Sequence, residues 1–108
     1  MAAWITLFIA GLLEVAWAYS MKLSEGFTRP IASGVTIVLA LASFWLLSLA
    51  MKSLPLGSAY AIWTGIGAVG AFAVGIVFLG EAASLMRITA AVLIVAGLAL
   101  MKLGSTTG

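Results

Sequence analysis

Residues 2–21 read AAWITLFIAGLLEVAWAYSM, a run in which Glu14 is the only charged side chain. An α-helix rises about 1.5 Å per residue, so a run of this length can cross the roughly 30 Å apolar core of a bilayer. Glu14 then lies roughly 18 Å along the helix, near the bilayer centre. Because a charged side chain at that depth costs several kcal/mol, a carboxylate there predicts a functional site.

The composition of the whole chain predicts an integral membrane protein. Of its 108 residues, 65% are hydrophobic and 7% are charged, with a mean hydropathy of +1.30, whereas soluble domains carry about 25% charged residues. Cysteine and histidine are absent, and the only acidic residues are Glu14, Glu25 and Glu81. We therefore expect no disulfide, no metal site, no cofactor and no enzymatic activity. The net charge of +2 includes no basic cluster that would suggest nucleic-acid binding.

Three further apolar runs predict an all-α fold with four transmembrane helices in a single domain, residues 1–108. We expect Thr28 to cap the second helix, Pro30 to occupy its first turn and Gly80 to end the third helix. The connection at 52–57 is too short to cross the bilayer again, so the spans on either side of it run antiparallel. The predicted spans are about 2–22, 31–51, 58–79 and 85–103.

The positive charges are almost balanced between the two ends of the spans. Lys22, Arg29 and Arg87 lie on one side, and Lys52 and Lys102 lie on the other beside the terminal amine. The positive-inside rule therefore favours neither orientation clearly. We expect the chain to insert both ways and to work as an antiparallel, dual-topology homodimer.

A dimer also suits a carboxylate at mid-depth. Four helices form a thin bundle with little room for an enclosed polar chamber. A two-fold axis in the membrane plane would instead bring two copies of Glu14 together. Two facing carboxylates repel each other and titrate as a coupled pair. We expect the pair to hold protons when the site is empty and to release them when a cation arrives.

Aromatic residues at helical spacing predict the walls of this site. Trp17 follows Glu14 by three residues and shares its helix face. Tyr60 and Trp63 are also three residues apart. An interfacial aromatic belt is the alternative for these two residues, although Trp63 lies several residues inside its span. Because aromatic faces attract cations by roughly 0.5–2 kcal/mol, these residues indicate a cation site. The alternative is a structural Glu14 that hydrogen-bonds to a neighbouring helix.

Glycines in the third span have two possible roles. Gly65 to Gly70 spell G-x-G-x-x-G, but the run lies inside an apolar span with no preceding strand, which argues against a dinucleotide-binding loop. Gly65 and Gly67 are predicted to loosen the helix and permit a kink. Gly67, Ala71 and Gly75 also form a ridge of small residues, so close helix packing is the alternative.

The fourth span has no polar residue in its middle and is predicted to associate with another helix. Small residues recur seven positions apart along one seam. We assign this seam to the dimer interface, with the residues Ala90, Leu93, Gly97 and Leu100.

Over its whole length the chain resembles small multidrug resistance transporters. The similarity rests on GLLEVAW (11–17), KLSEGFTR (22–29), AYAIWTGIG (59–67) and the helix that contains residues 90–97. The resemblance implies proton-coupled antiport of small cations by an antiparallel homodimer in the bacterial inner membrane. It places the shared carboxylate at Glu14 and the aromatic site residues at Tyr60 and Trp63.

Within the family, Trp17 and the run WTGIGAVG (63–70) resemble the guanidinium exporters. The resemblance implies that Trp17 and Ser43 line the site and hydrogen-bond to Glu14. We therefore expect an antiporter of protons and guanidinium-like cations. The runs SEGFT and ASFW, at 24–28 and 42–45, also resemble drug exporters. An antiporter for quaternary ammonium cations is thus the first alternative, and a non-transporting membrane subunit is the second.

Overall fold

The computed structural model describes residues 2–107 as four α-helices joined by short loops. The expected all-α fold is confirmed, and the described range contains no strand. Residues 1 and 108, the ends of the predicted domain, lie outside it. The helices are α1 (Ala2–Leu23), α2 (Pro30–Ala50), α3 (Leu56–Leu79) and α4 (Leu85–Thr107).

Each helix is long and apolar enough to cross a membrane. Backbone N–H and C=O groups find no water in hydrocarbon, so apolar runs of this length satisfy them internally as helices. The first two helices end within one residue of the predicted spans. α3 begins at Leu56, earlier than expected, because Pro55 supplies an extended residue (φ −59°, ψ 147°) directly before it. α4 continues past the predicted end at 103 to Thr107.

Two of the three predicted helix-end residues behave as expected. Pro30 lies in the first turn of α2, and Gly80 ends α3 in the left-handed conformation with φ 69°. The prediction for Thr28 is wrong, since Arg29 holds the N-cap position of α2 and makes no side-chain cap there. The Thr28 hydroxyl instead donates to the backbone carbonyl of Glu25 at 2.9 Å. The loop takes positive φ angles just before Thr28, so its side chain turns back toward α1.

The four helices form a flat slab rather than a closed bundle. α1 is the central helix and packs against both α2 and α3, while α4 packs against α3. The molecule measures 44 × 34 × 17 Å, so its thinnest dimension is less than two helix diameters of about 10–12 Å each. Glycines bring α1 and α3 close together, because a Cβ on Gly11 would overlap Ile66 and a Cβ on Gly70 would overlap Val15.

The buried core lies where α1, α2 and α3 meet. A polar contact also ties α1 to α2 near one end. Thr36 Oγ1 donates to Ser20 Oγ at 2.8 Å, and Ser20 Oγ donates to the carbonyl of Ala32 at 2.9 Å. Interhelical hydrogen bonds of this kind stabilise membrane helix pairs by about 0.6–2 kcal/mol. The buried apolar residues are Leu7, Ala10, Leu47, Ala50, Ala59, Ile62 and Trp63.

Candidate functional site

Glu14 lies in the middle of α1, and its carboxylate rests against α3 at Gly67. A Cβ built on Gly67 would lie 2.8 Å from Glu14 Cγ and would overlap the carboxylate itself. Glu14 Oε1 is buried and has no hydrogen-bond partner among the described residues. A buried polar atom without a partner costs about 1–3 kcal/mol. The position is therefore one that a proton, a cation or a second chain can complete.

Trp17 lies one turn further along the same face of α1. Its indole Nε1 is also buried and also lacks a hydrogen-bond partner in the described part of the chain. An orphan donor and an orphan acceptor thus lie on one helix face, three residues apart. The hydrogen bond from Trp17 to Glu14 that the resemblance implies is not made within this chain. Both groups stay available to a ligand.

Ser43 of α2 is fully buried and links three helices. Its hydroxyl donates to the carbonyl of Ala10 in α1 at 2.7 Å and accepts from Trp63 Nε1 of α3 at 3.0 Å. A hydroxyl carries one proton, so Ser43 cannot also donate to Glu14 in this arrangement. Within the single chain, Ser43 therefore orients Trp63 and does not make the implied contact with Glu14.

Four aromatic rings form a row beside Glu14, with three helices contributing. The ring centroids of Trp17 and Phe44 are 6.1 Å apart, those of Phe44 and Trp63 are 5.7 Å apart, and those of Trp63 and Tyr60 are 5.6 Å apart. Trp63 is only 6% exposed, whereas Tyr60 is 53% exposed. The fold thus brings the three predicted aromatic residues together and leaves the Tyr60 ring open to a second chain or a ligand.

Phe44 is the member of this row that sequence reasoning missed. It bridges Trp17 and Trp63 and remains about half exposed. Its neighbour Trp45 carries the same sequence signal, an aromatic side chain deep in the second span. The Trp45 ring, however, is largely exposed and makes no ring contact within the described residues. The two side chains lie on different faces of α2. The sequence of an apolar helix gives little indication of which face turns toward the other helices.

Gly65 and Gly67 both lie at close contacts. A Cβ on Gly65 would come within 3.0 Å of Cγ of Leu98 in α4, and one on Gly67 would meet Glu14. α3 runs unbroken through both positions as a single helix. A neighbouring side chain thus occupies the space beside each of the two glycines, whereas the kink and the ridge for helix packing both stay predictions.

The seam that we assigned to a dimer interface is exposed along α4. Leu93 is 67% exposed and Leu100 is 70% exposed. Ala90 is also exposed, and a Cβ on Gly97 would have no atom within 4 Å. The residues of α4 that turn inward are instead Leu98 and, in part, Ala91. The seam is thus unoccupied in the single chain and free to meet another helix.

The groups gathered around Glu14 limit the chemistry of the site. They are one carboxylate, the indole N–H of Trp17 and aromatic faces, because the Ser43 hydroxyl and the Trp63 N–H bond to other partners. Residues 2–107 contain no group of three His, Cys, Asp or Glu side chains that could hold a metal ion. A carboxylate with aromatic walls can bind a proton or an organic cation by electrostatic attraction.

Four membrane-crossing helices around one mid-span carboxylate define a class, the small multi-pass membrane proteins with an ionisable site inside the bilayer. A family model described as Small Multidrug Resistance protein matches residues 2–103. The chain is 59% identical over 103 residues to a guanidinium exporter of Yersinia pseudotuberculosis. The aligned region covers 95% of this chain and 99% of that protein. It is 53% identical over 103 residues to guanidinium exporters of Escherichia coli K12 and Citrobacter freundii. These alignments cover 95% of this chain and 98% of each relative.

The chain therefore belongs to the small multidrug resistance family, as its sequence predicted. The match begins at the start of α1 and reaches into the last turns of α4, so the family's four spans are all present. The protein is a multi-pass transporter of the bacterial inner membrane.

Proposed function

We propose that this protein exports guanidinium, or small guanidinyl cations, in exchange for protons. The observation that carries the proposal is the buried Glu14 Oε1, which has no hydrogen-bond partner in the described chain and lies beside a row of aromatic rings. Relatives at 53–59% identity that bear the name guanidinium exporter support the choice of cation.

Coupling follows from one site with two competing ligands. The Glu14 carboxylate binds either a proton or the cation, and it cannot neutralise both. A cation that arrives from one side of the membrane displaces protons, and protons that arrive from the other side displace the cation. Exchange then requires only that the site face one side of the membrane at a time.

The working unit in this proposal is an antiparallel homodimer with two Glu14 residues in one site. The slab measures 17 Å across its thinnest dimension, and the rings of Phe44 and Tyr60 remain about half exposed, so one chain leaves part of the aromatic row without cover. A second copy would supply that cover, and the open seam of α4 offers a contact surface for it. Two carboxylates allow up to two protons to be exchanged in each cycle.

Guanidinium suits the carboxylate acceptor and the aromatic faces of this site. It is planar, and paired N–H groups match a carboxylate through two hydrogen bonds, which a quaternary ammonium ion cannot offer. The rings of Trp17 and Trp63 add attraction to the face of a flat cation. No nucleophile and base are paired at the site, so we propose transport without enzymatic activity.

A liposome assay with the Glu14→Gln variant tests this function. Wild-type protein in liposomes should take up guanidinium when a pH gradient drives it, and Glu14→Gln should fold and dimerise but lose that coupling. Glu25→Gln is the matched control, because Glu25 forms an exposed ion pair with Arg29 at 3.0 Å, in the loop after α1. It should transport like the wild type. Proton-driven uptake by Glu14→Gln would refute the assignment.

A panel of cations in the same assay separates the alternatives. Guanidinium currents that exceed tetraethylammonium currents support the proposed substrate. The reverse order would indicate an exporter of quaternary ammonium cations. Absence of any proton-linked cation flux by the purified wild-type protein would favour a non-transporting membrane subunit, with Glu14 as a structural residue.

A further inference from the structure

A second carboxylate, Glu81, lies against α3 in the same manner as Glu14. A Cβ built on Gly75 would lie 2.8 Å from Glu81 Cδ. The Glu81 backbone N–H also donates to the carbonyl of Gly75 at 3.0 Å, which fixes the residue at the end of α3. Gly67 and Gly75 are two helical turns apart, about 12 Å along one face of α3. One ridge of small residues thus holds both carboxylates.

The chain already places a guanidinium group at Glu81. Arg87 Nη2 lies 3.5 Å from Glu81 Oε1, and Arg87 Nη1 donates to the carbonyl of Ala82 at 2.6 Å. The carbon of the same guanidinium lies 5.0 Å from the centre of the Phe72 ring. A carboxylate, a carbonyl oxygen and an aromatic face therefore surround one planar cation. These are the partners that a free guanidinium ion prefers.

An open cavity of about 370 Å³ extends from this cluster into the groove between α1 and α3. Its walls include small residues of both helices, and one of them, Ala18, lies about one helical turn from Glu14 on α1. Lys22 also lines the cavity and is the remaining charge there, so it weakens the attraction for a cation. The residues that matter are Ala18, Lys22, Ala71, Phe72, Glu81 and Arg87.

From these contacts we infer that Glu81 and Phe72 form an outer binding subsite for guanidinium cations, and that Arg87 occupies it when no substrate is present. The identity of the ligand rests on the proposed function. The ion pair is about two-fifths exposed on both sides, at 43% and 41%, so a free cation can displace the arginine. The subsite lies at the mouth of the cavity and would hold the substrate on its way to or from Glu14.

The test is a titration of isotope-labelled full-length protein with guanidinium chloride in bicelles, at constant ionic strength, with NMR detection of the Glu81 and Gly75 amides. A Glu14→Gln background removes the inner site. Adding Arg87→Gln should lower the half-saturating concentration about fivefold, since an exposed ion pair competes by up to about 1 kcal/mol. Adding Glu81→Gln to that double variant should abolish the response.

Arg29→Gln in the same background is the matched control, because it frees Glu25 from a similar exposed ion pair that has no aromatic face. An equal gain in affinity at Glu25 would overturn the inference, as would no gain from Arg87→Gln.

Should Arg87→Gln fail to fold, a titration of the Glu14→Gln variant alone still tests the subsite. Guanidinium must then shift the Arg87 Nε–H signal as it displaces the side chain, and an unmoved signal overturns the subsite. Failure here leaves the transport proposal intact, since that depends on Glu14.

Discussion

Gly67 and Glu14 share one space between α1 and α3, so the size of residue 67 decides where the carboxylate can lie. A methyl group at Gly67 would overlap the carboxylate directly. This is a positional requirement and is separate from the flexibility that a glycine gives to a helix. The two roles make different predictions for the same substitution.

We expect Gly67→Ala to keep the fold and to lower proton-driven guanidinium uptake about tenfold or more, equivalent to about 1.4 kcal/mol. The displaced carboxylate can no longer meet its ligand in the same position. Initial uptake rates in liposomes measure the effect. Gly34→Ala is the control, because a Cβ at Gly34 in α2 meets no atom within 4 Å. Equal losses in both variants would contradict a positional role for Gly67.

Ser43 should matter for stability as well as for the site. Ser43→Ala removes the acceptor of the Trp63 indole N–H and the donor to Ala10, both in a buried position. We expect the free energy of unfolding to fall by about 1–3 kcal/mol. Denaturant unfolding in micelles, followed by tryptophan fluorescence, provides the measurement. Ser48→Ala, at an exposed position of the same helix, should change it little, and a similar loss there would remove the special role of Ser43.

At the scale of single residues, the sequence predicts Glu14 because a charge in hydrocarbon is costly wherever the helix faces. Helical spacing also predicts the aromatic residues of the candidate site, which are Trp17, Tyr60 and Trp63. The partners of Ser43 cannot be predicted from the sequence, because a serine hydroxyl can equally donate to a backbone carbonyl of its own helix. Its bond to Trp63 depends on how α2 and α3 are rotated against α1.

Among the helices, α4 contributes least to the single chain and most of its surface is open. It packs against α3, through residues such as Leu98, and Lys102 Nζ lies 5.0 Å from the centre of the Trp4 ring in α1. A helix so exposed is stable in a bilayer, because lipid satisfies its apolar side chains and its backbone bonds are internal. Its exposed small-residue seam is therefore free to associate with the same seam of another copy.

We expect Gly97→Leu to weaken dimerisation about tenfold or more, because overpacking a close helix contact costs about 1–3 kcal/mol. The monomer should be unaffected, since among the described residues no atom lies within 4 Å of a Cβ built on Gly97. Light scattering across a dilution series in detergent reports the dimer fraction. Gly34→Leu offers the same change at another open position and should remain dimeric. An unchanged dimer in Gly97→Leu would place the interface elsewhere.

Helix number and approximate extent could be predicted from apolar runs alone, since only long helices satisfy the backbone in lipid. The helix ends do not follow from apolar runs, because they depend on loop geometry. Thr28 has the right chemistry for a cap, but the turn before it directs its hydroxyl backward. A sequence pattern does not contain that direction.

For the whole molecule, the balance of loop charges predicts two orientations in the membrane. A compartment-sensitive reporter on the C-terminus should give signal from both sides. Replacing Lys22 and Arg29 by alanine removes two of the three positive charges on the side of the first and third loops, and should shift most C-termini to the cytoplasm. Lys52→Ala is the opposite control and should shift them outward. A single orientation in every wild-type molecule would contradict dual topology.

The position of α1 at the centre of the slab also has a consequence for biosynthesis. α1 leaves the ribosome well before α3, so Gly67 and the aromatic residues of α3 do not yet surround Glu14 at that stage. During that interval the helix enters the bilayer with a carboxylate that insertion scales penalise by about 2.5–3.5 kcal/mol at the helix centre. Its leucine, isoleucine, phenylalanine and valine residues must offset this penalty during insertion. A polar substitution in α1 far from the site can therefore reduce the amount of protein in the membrane, even where the finished transporter would tolerate it.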